Sequence, residues 1–133
     1  MTGAQGLLAE ARANIRRLSP REVHRSGRLL IDVRTEAHRR LSGDIPGALV
    51  IDLTVLPWRL DPTFGWRIPE ATGWDVPYAI ICRHGYSSSV AAYQLTRMGL
   101  TDVVDVVGGF DAWAAAGLPV AAPGLGYVAD VRE

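Results

Sequence analysis

Short runs of consecutive apolar residues alternate along this chain with segments in which apolar positions recur at helical spacing. Leu29-Leu30-Ile31-Asp32-Val33, Ala48-Leu49-Val50-Ile51-Asp52, Tyr78-Ala79-Ile80-Ile81-Cys82 and Val103-Val104-Asp105-Val106-Val107 are apolar along most of their length. Runs of this length predict strands buried on both faces. Leu7, Leu8, Ala11, Ile15 and Leu18 keep helical spacing, with Arg12, Arg16 and Arg17 among them, and predict an amphipathic N-terminal helix. Ser19-Pro20-Arg21-Glu22 is a capping-box pattern with proline at the first helical position, so a second short helix starts there. Thr35 can cap a helix reaching about Arg40, and Gly43-Asp44-Ile45-Pro46-Gly47 breaks the chain. A further helix is predicted after Ser87. A last one runs from roughly Phe110 to Ala116, stopped by Gly117 and Pro119.

Two segments lack a clear period. Val55 to Asp75 carries three prolines, two glycines and three tryptophans, which predicts a functional or packed loop rather than a plain connection. Val120 to Glu133 is rich in Ala, Gly and Pro and is expected to lie over the surface. The alternation of apolar strands with helices predicts an α/β fold with a mostly parallel sheet covered on both faces. Ligands of such sheets bind beyond the carboxyl ends of the strands, which is where Cys82 stands.

Composition narrows the classes. At 133 residues the chain fits one domain, and 48% hydrophobic residues fit a packed core. Fourteen basic and fourteen acidic residues cancel, so net charge points neither to nucleic acid nor to an anionic membrane. No apolar run is long enough to span a bilayer, and the N-terminal residues lack the basic and apolar regions of a signal peptide. One cysteine excludes an internal disulfide. Together these lead to the expectation of a cytoplasmic protein with a reduced thiol. His24, His38 and His84 have no metal-ligand spacing with Cys82, so neither a metal nor another cofactor is expected.

The chemistry therefore centres on Cys82. A buried strand delivers it to a tight loop, Arg83-His84-Gly85-Tyr86-Ser87-Ser88, and a helix follows. Loop N–H groups above a helix N-terminus bind anions and stabilise a thiolate. Gly85 lets the loop take a positive φ, and Ser87 and Ser88 offer hydroxyls to the sulfur.

Four segments, in order, resemble the rhodanese family: Asp32-Val33-Arg34; Gly43-Asp44-Ile45-Pro46-Gly47-Ala48; Cys82-Arg83-His84-Gly85-Tyr86-Ser87; and Gly108-Gly109-Phe110-Asp111-Ala112-Trp113 with Ala116-Gly117-Leu118-Pro119-Val120. Asp44 stands where the family commonly has histidine, and His38 and Arg39 fall near its usual Glu-Tyr or Glu-Phe pair. The resemblance implies a rhodanese-like α/β domain over residues 18–120, with a central parallel sheet of about five strands and helices on both faces. Residues 1–17 would be a helical extension and 121–133 a tail. It also implies sulfur transfer through a Cys82 persulfide, from a donor such as thiosulfate to a thiol or cyanide acceptor. A sulfur-relay protein is a further partner that such an enzyme can serve.

The neighbouring residues carry two readings each. Arg83 either braces the loop against a carboxylate such as Asp32 or meets the substrate. His84 is either a bare rim histidine or a ligand of the anionic donor. Tyr86 is expected to form pocket wall, and Ser87 is read either as helix cap or as anion ligand, two roles that are compatible. Trp58 and Arg59 form either a lid with a cation for the anion or a satellite apolar cluster under the long loop. A cysteine phosphatase or arsenate reductase would need Cys-x5-Arg, and Ser88 holds that position. A non-turnover persulfide carrier or partner-binding module is the alternative from another class.

Overall fold

The computed structural model describes residues 2–123 and the backbone of residues 127–128. Six strands form one sheet: β1 (Arg16–Leu18), β2 (Leu29–Asp32), β3 (Leu49–Val50), β4 (Tyr78–Ile81), β5 (Val103–Val106) and β6 (Tyr127–Val128). Their order is β1-β5-β4-β2-β3-β6, and every pairing is parallel. The α/β class, the parallel sheet and the helices on both faces are as expected.

The side-chain alternation of β4 divides the core. Tyr78 and Ile80 join Ile31, Leu49 and Val103 on one face of the sheet, under α4 (Leu56–Leu60) and α5 (Ser87–Met98). Ala79 and Ile81 join Leu30, Val104 and Val106 on the other, against α2 (Pro20–Ser26) and α6 (Gly109–Ala115). Each fully buried Leu or Ile contributes about 1.5–3 kcal/mol through the water it leaves. Because β4 is buried on both faces, its period-2 register fixes the side on which the next residue, Cys82, emerges. It emerges toward α5.

The predicted caps form as expected. Ser19 Oγ accepts the Glu22 N–H at 3.2 Å and Glu22 Oε1 accepts the Ser19 N–H at 2.9 Å, starting α2. Thr35 Oγ1 accepts the His38 N–H at 3.2 Å and opens α3 (Glu36–Ser42).

The structure departs from the sequence reading in two places. The N-terminal helix does not run to Leu18: α1 is Gly3–Ala13, and β1 follows. Arg16 and Leu18 pair with Val104 and Val106, so the open edge of β5 supplies hydrogen bonds that local periodicity could not foresee. The tail is not only surface cover. Asp44 and Ala121 exchange backbone hydrogen bonds of 2.9 and 2.7 Å, and β6 extends the sheet beside β3. Residues 124–126 and 129–133 lie outside the described part. The long loop begins with a 3₁₀ turn (Leu53–Val55) and α4, and buries Leu56, Leu60, Ile68 and Ala71 beneath it.

Candidate active site

Cys82 directly follows β4 and is 4% exposed. The loop turns at Gly85, whose φ is +87°. A side chain there would meet more than strain, because a Cβ would stand 2.9 Å from the Gly108 nitrogen. The turn brings the Gly85 N–H to 3.1 Å from Cys82 Sγ, and the first turn of α5 brings the Ser88 N–H to 3.4 Å. The Ser88 hydroxyl is 3.3 Å from the sulfur. Burial pushes the thiol up. The hydroxyls of Ser88 and Ser87 and the backbone N–H groups of Ser88 and Gly85 outweigh it and hold the Cys82 pKa below its ordinary value.

A cavity of about 740 Å³ opens over the sulfur. Cys82, Arg83 and Ser87 line it from the loop, Arg34, His38 and Arg39 from the far side, and Asp52 and Thr54 from the segment after β3. Ser87 is the first residue of α5 and is exposed; the N-cap position is Tyr86, which makes no side-chain cap bond. The Ser87 hydroxyl is therefore not engaged in capping.

Arg83 is exposed, and no hydrogen bond or ion pair ties its guanidinium to a described residue. It does not brace Asp32. That carboxylate belongs to Arg34, whose Nε and Nη2 lie 3.0 and 2.8 Å from Oδ1 and Oδ2. Arg34 also donates to the Gly43 carbonyl at 2.9 Å and stacks 3.9 Å over the Phe110 ring. The Asp32-Val33-Arg34 segment thus clamps β2 to α3 and α6. Arg34 Nη1 approaches His38 Nδ1 at 3.2 Å, and Ser42 Oγ lies 3.2 Å from its Nε2. A guanidinium only donates, so Nδ1 must accept and Nε2 carries the proton. Burial first, and Arg34 next, lower the His38 pKa, which favours the neutral ring. Both nitrogens are engaged, which leaves no free base for chemistry.

His84 lies at the rim, paired with Asp111, and does not line the cavity. Tyr86 does not form pocket wall: it is 58% exposed, its ring 5.7 Å from the Arg12 guanidinium. Arg59 is displaced furthest from its expected place. It is 5% exposed, donates to the Trp66 carbonyl and does not line the Cys82 cavity. The Trp66 carbonyl holds its guanidinium inward, while Trp58 stays exposed.

The sequence reading missed the layer beneath the loop. Asp105 of β5 is fully buried, bidentate with Arg17 and within hydrogen-bond reach of Ser88 and Ser89. Arg12 donates to the Gly85 carbonyl at 2.8 Å and Arg17 to the same oxygen at 3.2 Å. On the other side, the Phe110 N–H donates to Cys82 O at 2.8 Å. The signal was present: an aspartate inside Val103-Val104-Asp105-Val106 requires a buried partner.

Comparison with known proteins agrees with this geometry. A family model described as the rhodanese-like domain matches residues 10–116. A sulfurtransferase of Allochromatium vinosum is 36% identical over 106 residues, covering 80% of this chain and 90% of that one. A thiosulfate sulfurtransferase of Vibrio cholerae is 46% identical over 43 residues, 32% of this chain and 41% of that one. Among solved structures, a Rhodopseudomonas palustris protein of unknown function, described as a possible tyrosine phosphatase, superposes with a TM-score of 0.82. It is 29% identical, over 90% of this chain and 95% of that one.

Proposed function

This chain belongs to the rhodanese-like domain family, and from that membership we propose that it is a sulfurtransferase working through a Cys82 persulfide. One observation carries the reading: Cys82 Sγ sits at the base of a cavity with the N–H groups of Gly85 and Ser88 and the Ser88 hydroxyl all within 3.4 Å. These donors suit a sulfur that must carry negative charge without being protonated.

The Cys82 thiolate attacks the outer sulfur of a donor such as thiosulfate. The S–S bond breaks, its electron pair leaves with sulfite, and Cys82 holds the sulfur as a persulfide. A thiolate or cyanide then attacks that outer sulfur, and the bonding pair returns to Sγ. In this scheme the Gly85 and Ser88 N–H groups and the Ser87 and Ser88 hydroxyls hold the charge. Arg83 meets the anionic donor at the cavity wall. His84 and Tyr86 shape the rim where a larger acceptor, including a sulfur-relay protein, would approach. Arg59 has no part in it. No metal or other cofactor is needed, and a lone reduced thiol suits the cytoplasm.

The phosphatase description of the Rhodopseudomonas palustris protein does not suit this loop. Phosphoryl transfer by a cysteine needs a guanidinium at the position of Ser88, where the hydroxyl gives no bidentate clamp. The test is the intact mass after incubation with thiosulfate. The proposal expects a gain of one sulfur atom, reversed by dithiothreitol and absent in Cys82→Ser, together with thiocyanate production from cyanide. A stable persulfide without turnover would favour the carrier reading, and no sulfur gain would refute both.

A further inference from the structure

Asp105 lies under the reactive loop with more donors than it can satisfy equally. Its Oδ1 accepts from Arg17 Nε at 2.8 Å. Its Oδ2 is approached by Ser89 Oγ at 2.7 Å, Arg17 Nη2 at 3.1 Å and Ser88 Oγ at 3.1 Å. A carboxylate oxygen has two lone pairs, so one of three donors can depart at small cost. Arg17 is retained by its second bond, to Oδ1. Ser89 is the shortest contact, and its oxygen is held from behind by Arg12 Nε at 3.2 Å. Ser89 Oγ and Arg17 Nη2 have the Gly85 carbonyl as a second acceptor, at 3.0 and 3.2 Å, but Ser88 is the donor of the three whose second acceptor is the reactive sulfur, Cys82 Sγ at 3.3 Å.

We propose that Ser88 is a two-position hydrogen-bond switch under Cys82, and that Asp105 is the positioning residue that holds its hydroxyl whenever Sγ carries no charge. This rests on the reading of Cys82 as the sulfur-transfer nucleophile. With Sγ protonated, the S–H donates to Ser88 Oγ and the Ser88 hydroxyl donates to Asp105. When Sγ is a thiolate, the hydroxyl turns to it, and Asp105 keeps Arg17 and Ser89. In the persulfide the charge sits on the outer sulfur, so the hydroxyl returns to Asp105. When the acceptor thiolate takes that sulfur, the S–S bonding pair falls back on Sγ and the hydroxyl swings over again. No proton leaves Ser88 at any stage. The acceptor enters as a thiolate and departs as a persulfide anion, so atoms and charge balance.

The arrangement makes an unusual demand: two neighbours in one network must act on the thiol in opposite senses. Ser88 favours the thiolate by donating to it. Asp105 opposes it by competing for the same hydroxyl. The other charged groups around the sulfur stay unchanged in the variants below: Arg34, Glu36, His38, Arg39, Asp52 and Arg83 line the cavity. His84 and Asp111 pair at the rim, and Arg12 and Arg17 lie beneath.

The experiment is the pH profile of Cys82 alkylation by iodoacetamide, followed by intact mass on the full chain. Asp105→Asn should move the midpoint down and Ser88→Ala should move it up. A shift of about one unit each way is tenfold in thiolate population at a pH below both midpoints. Shifts of the same sign, or an unmoved midpoint in Asp105→Asn, overturn the proposal. Loss of the Asp105 charge by itself also lowers the midpoint, so Ser89→Ala, which keeps that charge, separates the switch from plain electrostatics: its midpoint must rise. Should Asp105→Asn fail to fold, Ser89→Ala decides. Removing Ser89 from Oδ2 lets Asp105 hold Ser88 harder, so the midpoint must rise, and a fall or no change overturns the switch. Alkylation needs no sulfur donor. Opposed shifts in a protein that takes no sulfur from thiosulfate would keep the switch and refute only the sulfurtransferase reading.

Discussion

His84 Nδ1 lies 3.1 Å from Asp111 Oδ2 across the rim of the Cys82 loop, with both side chains about half exposed. The imidazole is turned to a carboxylate of α6; of the cations that line the cavity, Arg34 is paired with Asp32 and Arg39 with Asp44, while no described residue pairs with the Arg83 guanidinium. On the proposed function, this pairing leaves the attraction of an anionic donor to Arg83.

Arg83→Ala should raise KM for thiosulfate about tenfold with a smaller change in kcat. One charge-assisted hydrogen bond contributes roughly 1.5–3 kcal/mol, and a tenfold change needs about 1.4 kcal/mol. His84→Ala should change KM less than about twofold, since exposed pairs are worth ~0–1 kcal/mol. Steady-state kinetics on both variants check this. Equal effects would mean that the rim imidazole reaches the donor.

His38 predicts a pH dependence of stability. Burial, and then Arg34, lower its pKa in the folded chain. The unfolded chain therefore binds a proton at higher pH than the folded one. Stability from this residue is complete above the ordinary value of about 6.5. It falls as pH drops through the window below that value, down to the folded pKa. His38→Gln should flatten the melting-temperature profile on the acid side of about pH 6.5. An unchanged slope would place the acid sensitivity elsewhere.

Cys82 predicts a slope at the other end of the scale. Its pKa is held below the ordinary thiol value by the Ser88 and Ser87 hydroxyls and the Ser88 and Gly85 N–H groups, against the opposing effect of burial. Between the folded pKa and about 8.5 the unfolded chain carries more protons. Stability from the thiolate is then fully present above that window and is lost as pH falls through it. The difference in melting temperature between the wild type and Cys82→Ser should grow as pH rises from about 6 to 9. A constant difference would mean that the folded site does not favour the anion.

Gly109→Ala should disable the site from outside it. Gly109 has a φ of +62°, and a Cβ there would lie 2.6 Å from the carbonyl oxygens of both Cys82 and Arg83. Strained backbone costs about 1–3 kcal/mol, which lowers the melting temperature by roughly 2–12 °C in a chain of this size. Because α6 donates to those carbonyls, sulfur transfer should fall further than stability alone accounts for. Calorimetry with activity measured well below the melting point separates the two. Wild-type turnover in a folded variant would show that the loop does not depend on this close approach.

Much of this protein was legible along the chain because the determinants are local. Apolar runs located β2, β4 and β5, and the Ser19 and Thr35 caps placed two helix starts. A glycine three residues after a strand-end cysteine marked the loop that folds its N–H groups onto the sulfur. These features depend on neighbours within a few residues, where backbone geometry and side-chain chemistry are already set. What only the tertiary structure decided involves partners distant in sequence. Residues 16–18 are a strand because β5 offers an open edge, and residues 127–128 because β3 does. Arg59 turns inward to the Trp66 carbonyl, and Asp32 pairs with Arg34 so that Arg83 is left for the cavity. Asp105 meets Arg17 across 88 positions and Ser88 across 17. A buried carboxylate in an apolar strand announces that it needs partners, but which donors reach it is settled only when the sheet and α5 pack together.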